Sequence, residues 1–181
     1  MVELPLKHPE IFDKLGIAGP VLVHQIFPLI SEKKIKKIVE DHNRFLIKSK
    51  YITLIKGAKT TLEKLRKNYE LALVSNCAHK TILNLLKKFS LDKNLFDVIV
   101  GNDDVKKPKP APDEILKAER LLHMQADYMV GDTTYDIIAA RKAKVRSIAV
   151  LTGHQPKKLI KKSKSDTIIR SVKDLPKILK N

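Results

Sequence analysis

The sequence predicts an α/β fold with a doubly wound parallel sheet. From Ile52 onward, short apolar runs that suit buried strands alternate with amphipathic segments that suit helices. The connections between them are short, and several apolar runs stop at a glycine or at a polar residue. Strand and helix in alternation with short connections are typical of a parallel sheet with helices packed against its faces.

Five apolar runs are the predicted strands: residues 71–74, 98–100, 128–130, 147–151 and 167–169. The predicted helices cover approximately residues 59–67, 79–89, 112–122, 137–143, 156–162 and 172–179. The run at residues 128–130 has no polar interruption, which favours a strand buried on both faces of a parallel sheet, and residues 71–74 likewise suit a buried strand.

The first 51 residues differ from this pattern. Four prolines interrupt the segment before Ser31, so long elements are not expected there. After Ser31, apolar residues and one histidine recur at helical spacing and predict an amphipathic helix: Ile35, Ile38, Val39, His42, Phe45 and Leu46. Residues 21–23 fit either a strand or a helical turn. We divide the chain into an N-terminal segment, 1–51, and an α/β unit, 52–181, without a linker that would separate independent domains.

Composition restricts the function classes. The net charge of +16 over 181 residues would suit nucleic-acid binding, but lysines are spread over nearly every predicted helix and only 5% of residues are aromatic, so we do not expect specific nucleic-acid binding. A lysine-rich surface attracts anions generally, including phosphorylated substrates. The single cysteine, Cys77, excludes an internal disulfide. No apolar stretch approaches the roughly 20 residues of a membrane span, and no signal peptide is recognisable, which together predict a cytoplasmic protein.

Polar side chains follow three of the predicted strands, where the strands end. In a parallel sheet these ends share one edge, where α/β proteins bind ligands. A hydroxyl, an ammonium and a pair of carboxylates there could hold a phosphoryl group and a magnesium ion. Taken singly, each has a simpler interpretation as a helix cap or a solvated charge. The residues are Ser75, Asn76, Lys107, Lys109, Asp132 and Asp136.

Three strings carry a family resemblance: LALVSN ending at Asn76, KPKPAPD from Lys107, and VGDTTYDI from Val130. They resemble the second, third and fourth motifs of the haloacid dehalogenase superfamily, in its phosphoglycolate phosphatase-like branch, over approximately residues 54–179. The resemblance implies a Rossmann-like core, with residues 1–51 similar to the small helical cap of such enzymes. It implies that Ser75 hydrogen-bonds the phosphoryl group, with Asn76 beside it.

The same resemblance assigns the charged residues. Lys109 would stabilise the charge on nucleophile and phosphate, Asp132 would ligate magnesium, and Asp136 would either join it at the metal site or orient a bound water or the lysine. The implied activity is magnesium-dependent hydrolysis of small phosphorylated metabolites. Catalytic roles therefore fall to Ser75, Lys109 and Asp132, and the metal site to Asp132 and Asp136.

One motif of that family is absent. Its first strand ends in Asp-x-Asp, which supplies the nucleophile and the general acid/base, and no such pair occurs in this sequence. Asp13 is the nearest candidate, but no apolar strand precedes it and Leu15 stands where the second aspartate would be. The missing strand would lie between the strand that ends at Ser75 and the strand that ends at Asp132, so its loss would leave unpaired backbone groups and a gap in the core.

Four explanations of this gap are open: the chain derives from a phosphatase that has lost an N-terminal strand, which we favour; residues 1–6 fill the gap; residues 21–23 fill it; or a partner chain does. The alternative function is a non-catalytic descendant that binds a phosphorylated ligand or a protein partner through the same crevice. The substrate and the oligomeric state are not readable from the sequence.

Overall fold

The computed structural model describes residues 14, 16–153 and 155–179. The strands are β1 (Ala72–Ser75), β2 (Val98–Gly101), β3 (Tyr128–Gly131), β4 (Arg146–Val150) and β5 (Thr167–Ile169). The helices are α1 (Gly19–Ile26), α2 (Glu32–Lys48), α3 (Ala58–Leu65), α4 (His79–Lys88), α5 (Asp113–Leu122), α6 (Thr134–Ala143), α7 (Lys157–Lys162) and α8 (Leu175–Ile178). Short 3₁₀ turns cover Lys93–Leu95, Asn102–Asp104 and Val172–Asp174.

All strand pairs in the described part of the chain are parallel, as the sequence predicts. They form two separate sheets: β1 pairs with β2, and β4 pairs with β3 on one side and β5 on the other. Among the described residues, no ladder joins β1 to β3. The break lies where the sequence analysis places the missing strand, so the α/β fold is confirmed and the sheet is divided.

Helices cover both faces of the three-stranded sheet. On one face, Leu65 of α3 and Leu175 of α8 pack with Ile148 and Val150, and Tyr128 and Val130 lie against this cluster. On the other face, Ile115 of α5 packs with the alanines of α6, against which Met129 and Val74 lie. Side chains of a strand alternate between faces, which is why Tyr128 and Val130 lie on one side and Met129 on the other.

The predicted strands agree with the structure to within one residue at each end, and the helices agree nearly as well. Two expectations change. Residues 21–23 belong to α1, which begins with Pro20 in its first turn, so a strand there is wrong; proline suits a helix start because its missing N–H would have no intrahelical partner. The terminal helix is split into a 3₁₀ turn and α8.

Helix α2 forms as predicted, but its apolar stripe is only partly covered. Ile35 is buried, whereas Ile38 and Phe45 are exposed. His42, on the same stripe, is exposed as well. Asp13 and residues 1–6 lie outside the described part of the chain, and the division at residue 51 stays a prediction. None of the described helices has the length and apolar character needed to cross a membrane.

Candidate functional site

The candidate site lies at the carboxyl ends of β1 and β3, an edge that we call the crevice. Ser75 ends β1, Gly131 ends β3, and the loop between β2 and α5 brings Lys109 between them. The Lys109 Nζ atom donates to the Val74 carbonyl, 3.0 Å away, and lies 2.9 Å from the Asp136 Oδ1 atom. A single lysine thus connects the end of β1 to the loop that follows β3.

Lys109 is buried, with 6% of its surface exposed. Besides Asp136, it faces the carboxylate of Glu114 at 3.6 Å. Burial lowers the pKa of Lys109, but the carboxylates of Asp136 and Glu114 outweigh this effect, so the pKa lies above its ordinary value. The side chain is therefore a fixed ammonium at neutral pH and cannot serve as a general base.

Asp136 contacts this ammonium with one carboxylate oxygen and caps helix α6 with the other. Thr133 is the N-cap of α6, and the Asp136 Oδ2 atom accepts hydrogen bonds from the Thr133 backbone N–H at 3.0 Å and its hydroxyl at 2.7 Å. This reciprocal arrangement is a capping box. The interpretation of Asp132 as the cap is therefore wrong, and both oxygens of Asp136 are engaged by protein groups.

Glu114 is the residue that the sequence analysis missed. It lies in the first turn of α5, fully buried, and neither of its oxygens accepts a hydrogen bond from a described residue. Burial raises the pKa of Glu114, and the nearby ammonium of Lys109 offsets this only partly. In the sequence, an acid in a first helical turn reads as an ordinary complement to the helix dipole, so no local signal distinguishes it.

Ser75 and Asn76 lie beside this cluster. The Ser75 Oγ atom accepts from the Cys77 backbone N–H at 3.2 Å, and the N-cap of α4 is Ala78, so Ser75 is not the helix cap. The side-chain amide of Asn76 donates to the Lys109 carbonyl at 3.0 Å and to the Gly16 carbonyl at 2.5 Å. Asn76 therefore ties the end of β1 to the Lys109 loop, while its buried Oδ1 atom accepts no hydrogen bond from a described residue.

Asp132 immediately follows β3 and is half-buried. The loop after β4 approaches it closely: a Cβ atom placed on Gly153 would lie only 2.0 Å from the Asp132 Oδ2 atom. The absence of a side chain at Gly153 therefore leaves room for the Asp132 carboxylate. Lys107, two residues before the buried Lys109, is exposed. Of the two lysines that the sequence predicts for the site, only Lys109 belongs to the cluster.

The predicted magnesium site is incomplete. Magnesium requires about six oxygen ligands in octahedral geometry, usually one or two carboxylates with waters and substrate oxygens. Asp136 uses both oxygens on Thr133 and Lys109, and across residues 14, 16–153 and 155–179 no group of three His, Cys, Asp or Glu side chains could hold a metal. The described residues do not by themselves fit the ion, and ligation by Asp136 stays a prediction that its contacts do not favour.

Comparison with known proteins finds similar sequences and structures. A family profile described as haloacid dehalogenase-like hydrolase matches residues 3–150. The chain is 40% identical over 134 residues to a protein of Caldanaerobacter subterraneus with the provisional name pyrophosphatase PpaX, covering 72% of this chain and 60% of that protein. It is 30% identical to the pyrophosphatase PpaX of Bacillus cereus, covering 93% of this chain and 80% of the relative.

Solved structures share the fold. A hydrolase from Pseudomonas syringae superposes with a TM-score of 0.79 at 25% identity, covering 93% of this chain and 80% of that one. A predicted phosphoglycolate phosphatase from Haemophilus somnus gives a TM-score of 0.73 at 25% identity, covering 83% and 69%. Since the family profile covers most of the sequence, the chain belongs to the haloacid dehalogenase-like hydrolase family.

Proposed function

We propose that this chain is the core of a phosphatase-type hydrolase that acts on small phosphorylated metabolites in the crevice. The observation that carries the proposal is the ammonium of Lys109, buried where β1 and β3 end and held protonated by Asp136 and Glu114. A fixed buried cation beside a serine hydroxyl is suited to the charge of a phosphoryl group, because electrostatic attraction is strong where water is excluded.

We assign each residue of the crevice a separate role. Ser75 hydrogen-bonds a phosphoryl oxygen, Lys109 neutralises its charge, and Asn76 keeps the two loops together through the Lys109 carbonyl. Asp136 positions Lys109, and Asp132 is the carboxylate that we propose for magnesium. Since Lys109 also faces two carboxylates, its ammonium can offset only part of the charge of an anionic substrate, which supports a requirement for an added cation.

The chain has no Asp-x-Asp pair, so no residue is proposed as its nucleophile. Nucleophile and acid/base act as a unit, and losing either typically costs orders of magnitude in rate. This favours a second candidate function, a non-catalytic protein that binds a phosphorylated ligand or a protein partner through the same residues.

The test is hydrolysis of p-nitrophenyl phosphate, phosphoglycolate and inorganic pyrophosphate by the full chain, with and without magnesium. Pyrophosphate is included because the relatives in Caldanaerobacter and Bacillus are named pyrophosphatases. Activity should require magnesium and be abolished by Lys109→Ala and by Asp132→Ala, while Lys107→Ala, a change at the exposed neighbour, leaves it intact.

Activity that survives both substitutions would rule out this site. Calorimetric binding of phosphate and magnesium without turnover, lost in Lys109→Ala, would instead select the non-catalytic function. The two measurements, turnover and ligand binding, thus distinguish a catalytic crevice from one that only binds.

A further inference from the structure

The ammonium of Lys109 has three N–H groups, and two protein acceptors lie within hydrogen-bond distance of it. These are the Val74 carbonyl at 3.0 Å and the Asp136 Oδ1 atom at 2.9 Å. The Glu114 Oε2 atom lies 3.6 Å from the same nitrogen, which is beyond hydrogen-bond range. The third N–H is therefore the one that Lys109 can offer to a ligand in the crevice.

Glu114 is a poor choice of residue for stability alone. Its side chain is fully buried, and neither carboxylate oxygen accepts a hydrogen bond from a described residue. A buried carboxylate without donors is costly, and replacing a buried ion pair by apolar side chains of similar volume is often neutral or stabilising. Packing at this position therefore does not require a charge.

Two features favour the ionised form of Glu114 in spite of its burial. The residue lies in the first turn of the ten-residue helix α5, where the helix dipole stabilises a negative charge. Burial raises the pKa of its carboxyl group, but the ammonium of Lys109 acts in the opposite direction. The charge of Glu114 thus depends on the same ammonium that a ligand would use.

Asp136 differs from Glu114 in this respect, although it lies closer to Lys109. Its Oδ2 atom accepts two hydrogen bonds from Thr133, so donors other than the lysine also stabilise its charge. Within the described ranges, Lys109 is the one cation at ion-pair distance from Glu114. A ligand that draws the ammonium away therefore leaves Glu114 uncompensated and Asp136 still bonded.

We propose that Glu114 is a specificity-determining residue of the crevice, whose carboxylate competes with phosphoryl anions for the third N–H of Lys109 and disfavours them in proportion to their negative charge. This role rests on the proposed function, in which Lys109 binds phosphoryl oxygens. A carboxylate and an anion that approach one ammonium repel each other, and burial keeps water and salt from screening the repulsion. Glu114 therefore weakens binding most for the most highly charged ligands.

Calorimetric titration of the full 181-residue chain with inorganic phosphate and with inorganic pyrophosphate, in one magnesium-containing buffer at about pH 7.5, tests this role. Glu114→Gln keeps the shape of the side chain but removes its charge, and should bind phosphate about tenfold more tightly or better. The gain should be larger for pyrophosphate, which carries more negative charge, because Coulomb repulsion grows with the charge of the ligand. A purely structural role of Glu114 would not produce this dependence on ligand charge.

Asp113→Asn is the matched control. Asp113 precedes Glu114 in the same helical turn, and its carboxylate accepts from the Lys107 backbone N–H at 3.3 Å. The change removes one negative charge from the same end of α5 and should alter both affinities by less than about twofold, because exposed charges are screened. An equal gain in the Asp113 and Glu114 variants would assign the effect to net charge instead of position and would overturn the proposal.

Glu114→Met provides a second variant, in case the glutamine variant does not fold. It also removes the charge, breaks no hydrogen bond to a described residue, and should show the same gain; thermal melts by circular dichroism establish that each variant is folded. Unchanged or weaker binding by a folded Glu114 variant, or an equal gain for both ligands, would overturn the proposal. If neither the unaltered chain nor the variants bind either ligand, the proposed function fails together with this role.

Nuclear magnetic resonance of the unaltered chain supplies a test that no variant is needed for. With carbon-13 labels in glutamate and aspartate, saturating phosphate should shift the side-chain carboxylate resonance of Glu114, because Lys109 then donates its third N–H to the ligand. The corresponding resonance of Asp113 should not move. A Glu114 resonance that stays in place at saturation would show that Glu114 does not compete with the ligand and would overturn the proposal.

Discussion

Replacing Lys109 by methionine tests the central electrostatic feature of the crevice. Methionine keeps the length and apolar stem of the side chain but removes the ammonium, which leaves Asp136 and Glu114 buried without their cation. At an effective dielectric constant of about 20, the attractions at 2.9 Å and 3.6 Å are about 6 and about 5 kcal/mol. They are offset by the cost of burying the ammonium, and breaking a buried ion pair typically costs about 3–5 kcal/mol net.

We therefore expect Lys109→Met to lower the free energy of unfolding by about 3–5 kcal/mol at pH 7. The deficit should shrink as the pH falls towards 5. Burial raises the pKa of Glu114, and without the ammonium that opposes this effect the folded-state pKa of Glu114 rises further. The folded state then binds more protons than the unfolded state and gains relative stability at low pH. Urea denaturation monitored by circular dichroism at both pH values measures this.

The second carboxylate provides an internal check. Asp136 keeps two hydrogen bonds from Thr133, whereas Glu114 accepts none from the described residues, so the uncompensated charge falls mainly on Glu114. Adding Glu114→Gln to Lys109→Met should recover about 1–3 kcal/mol, the cost of one unsatisfied buried group. The matched control, Lys107→Met at the exposed neighbour, should change stability by less than about 0.5 kcal/mol. A deficit equal to that of the control, or one independent of pH, would refute the reasoning.

Three further predictions concern the frame around the site. Lys144 ends α6 with a left-handed φ of 61°, so Lys144→Gly should raise the free energy of unfolding by about 1 kcal/mol in thermal or urea melts. The control, Lys142→Gly inside the same helix, should lower it by about as much. A lower stability of Lys144→Gly would contradict the left-handed conformation of Lys144. Gly153→Ala places a methyl group where the Asp132 carboxylate lies and should lower the free energy of unfolding by about 1–3 kcal/mol. The magnesium affinity of the same variant reports whether that carboxylate has moved. An unchanged melting temperature would show that the methyl group fits beside Asp132 without displacing it. Asp166 accepts hydrogen bonds from the side chain and the backbone N–H of Ser147, and these lower the pKa of its carboxyl group below the ordinary value. Its contribution to stability is therefore present above about pH 4 and lost as the pH falls below that. Asp166→Asn should reduce the dependence of the unfolding free energy on pH in this acid range, and an unchanged dependence would count against the interaction.

The sequence by itself determined the order and type of nearly every element. Apolar runs of three to five residues, cut off by glycine or polar residues, were sufficient to locate the strands, because strands buried on both faces leave a nearly continuous apolar signal. It also identified Lys109 and Asp136 as members of one site, since parallel strands end at a common edge. The expected gap beside β1 followed from the absence of the Asp-x-Asp strand.

Tertiary structure alone decided three matters. Residues 21–23 are helical, because a three-residue apolar run has no periodicity and only packing selects its conformation. Both carboxylate oxygens of Asp136 contact protein groups, Lys109 and Thr133, and these contacts depend on the relative positions of two loops. Glu114 joins the cluster although its local sequence suits an ordinary helix start. Burial and partner distance are properties of chain segments brought together from different positions in the sequence, so no local pattern encodes them.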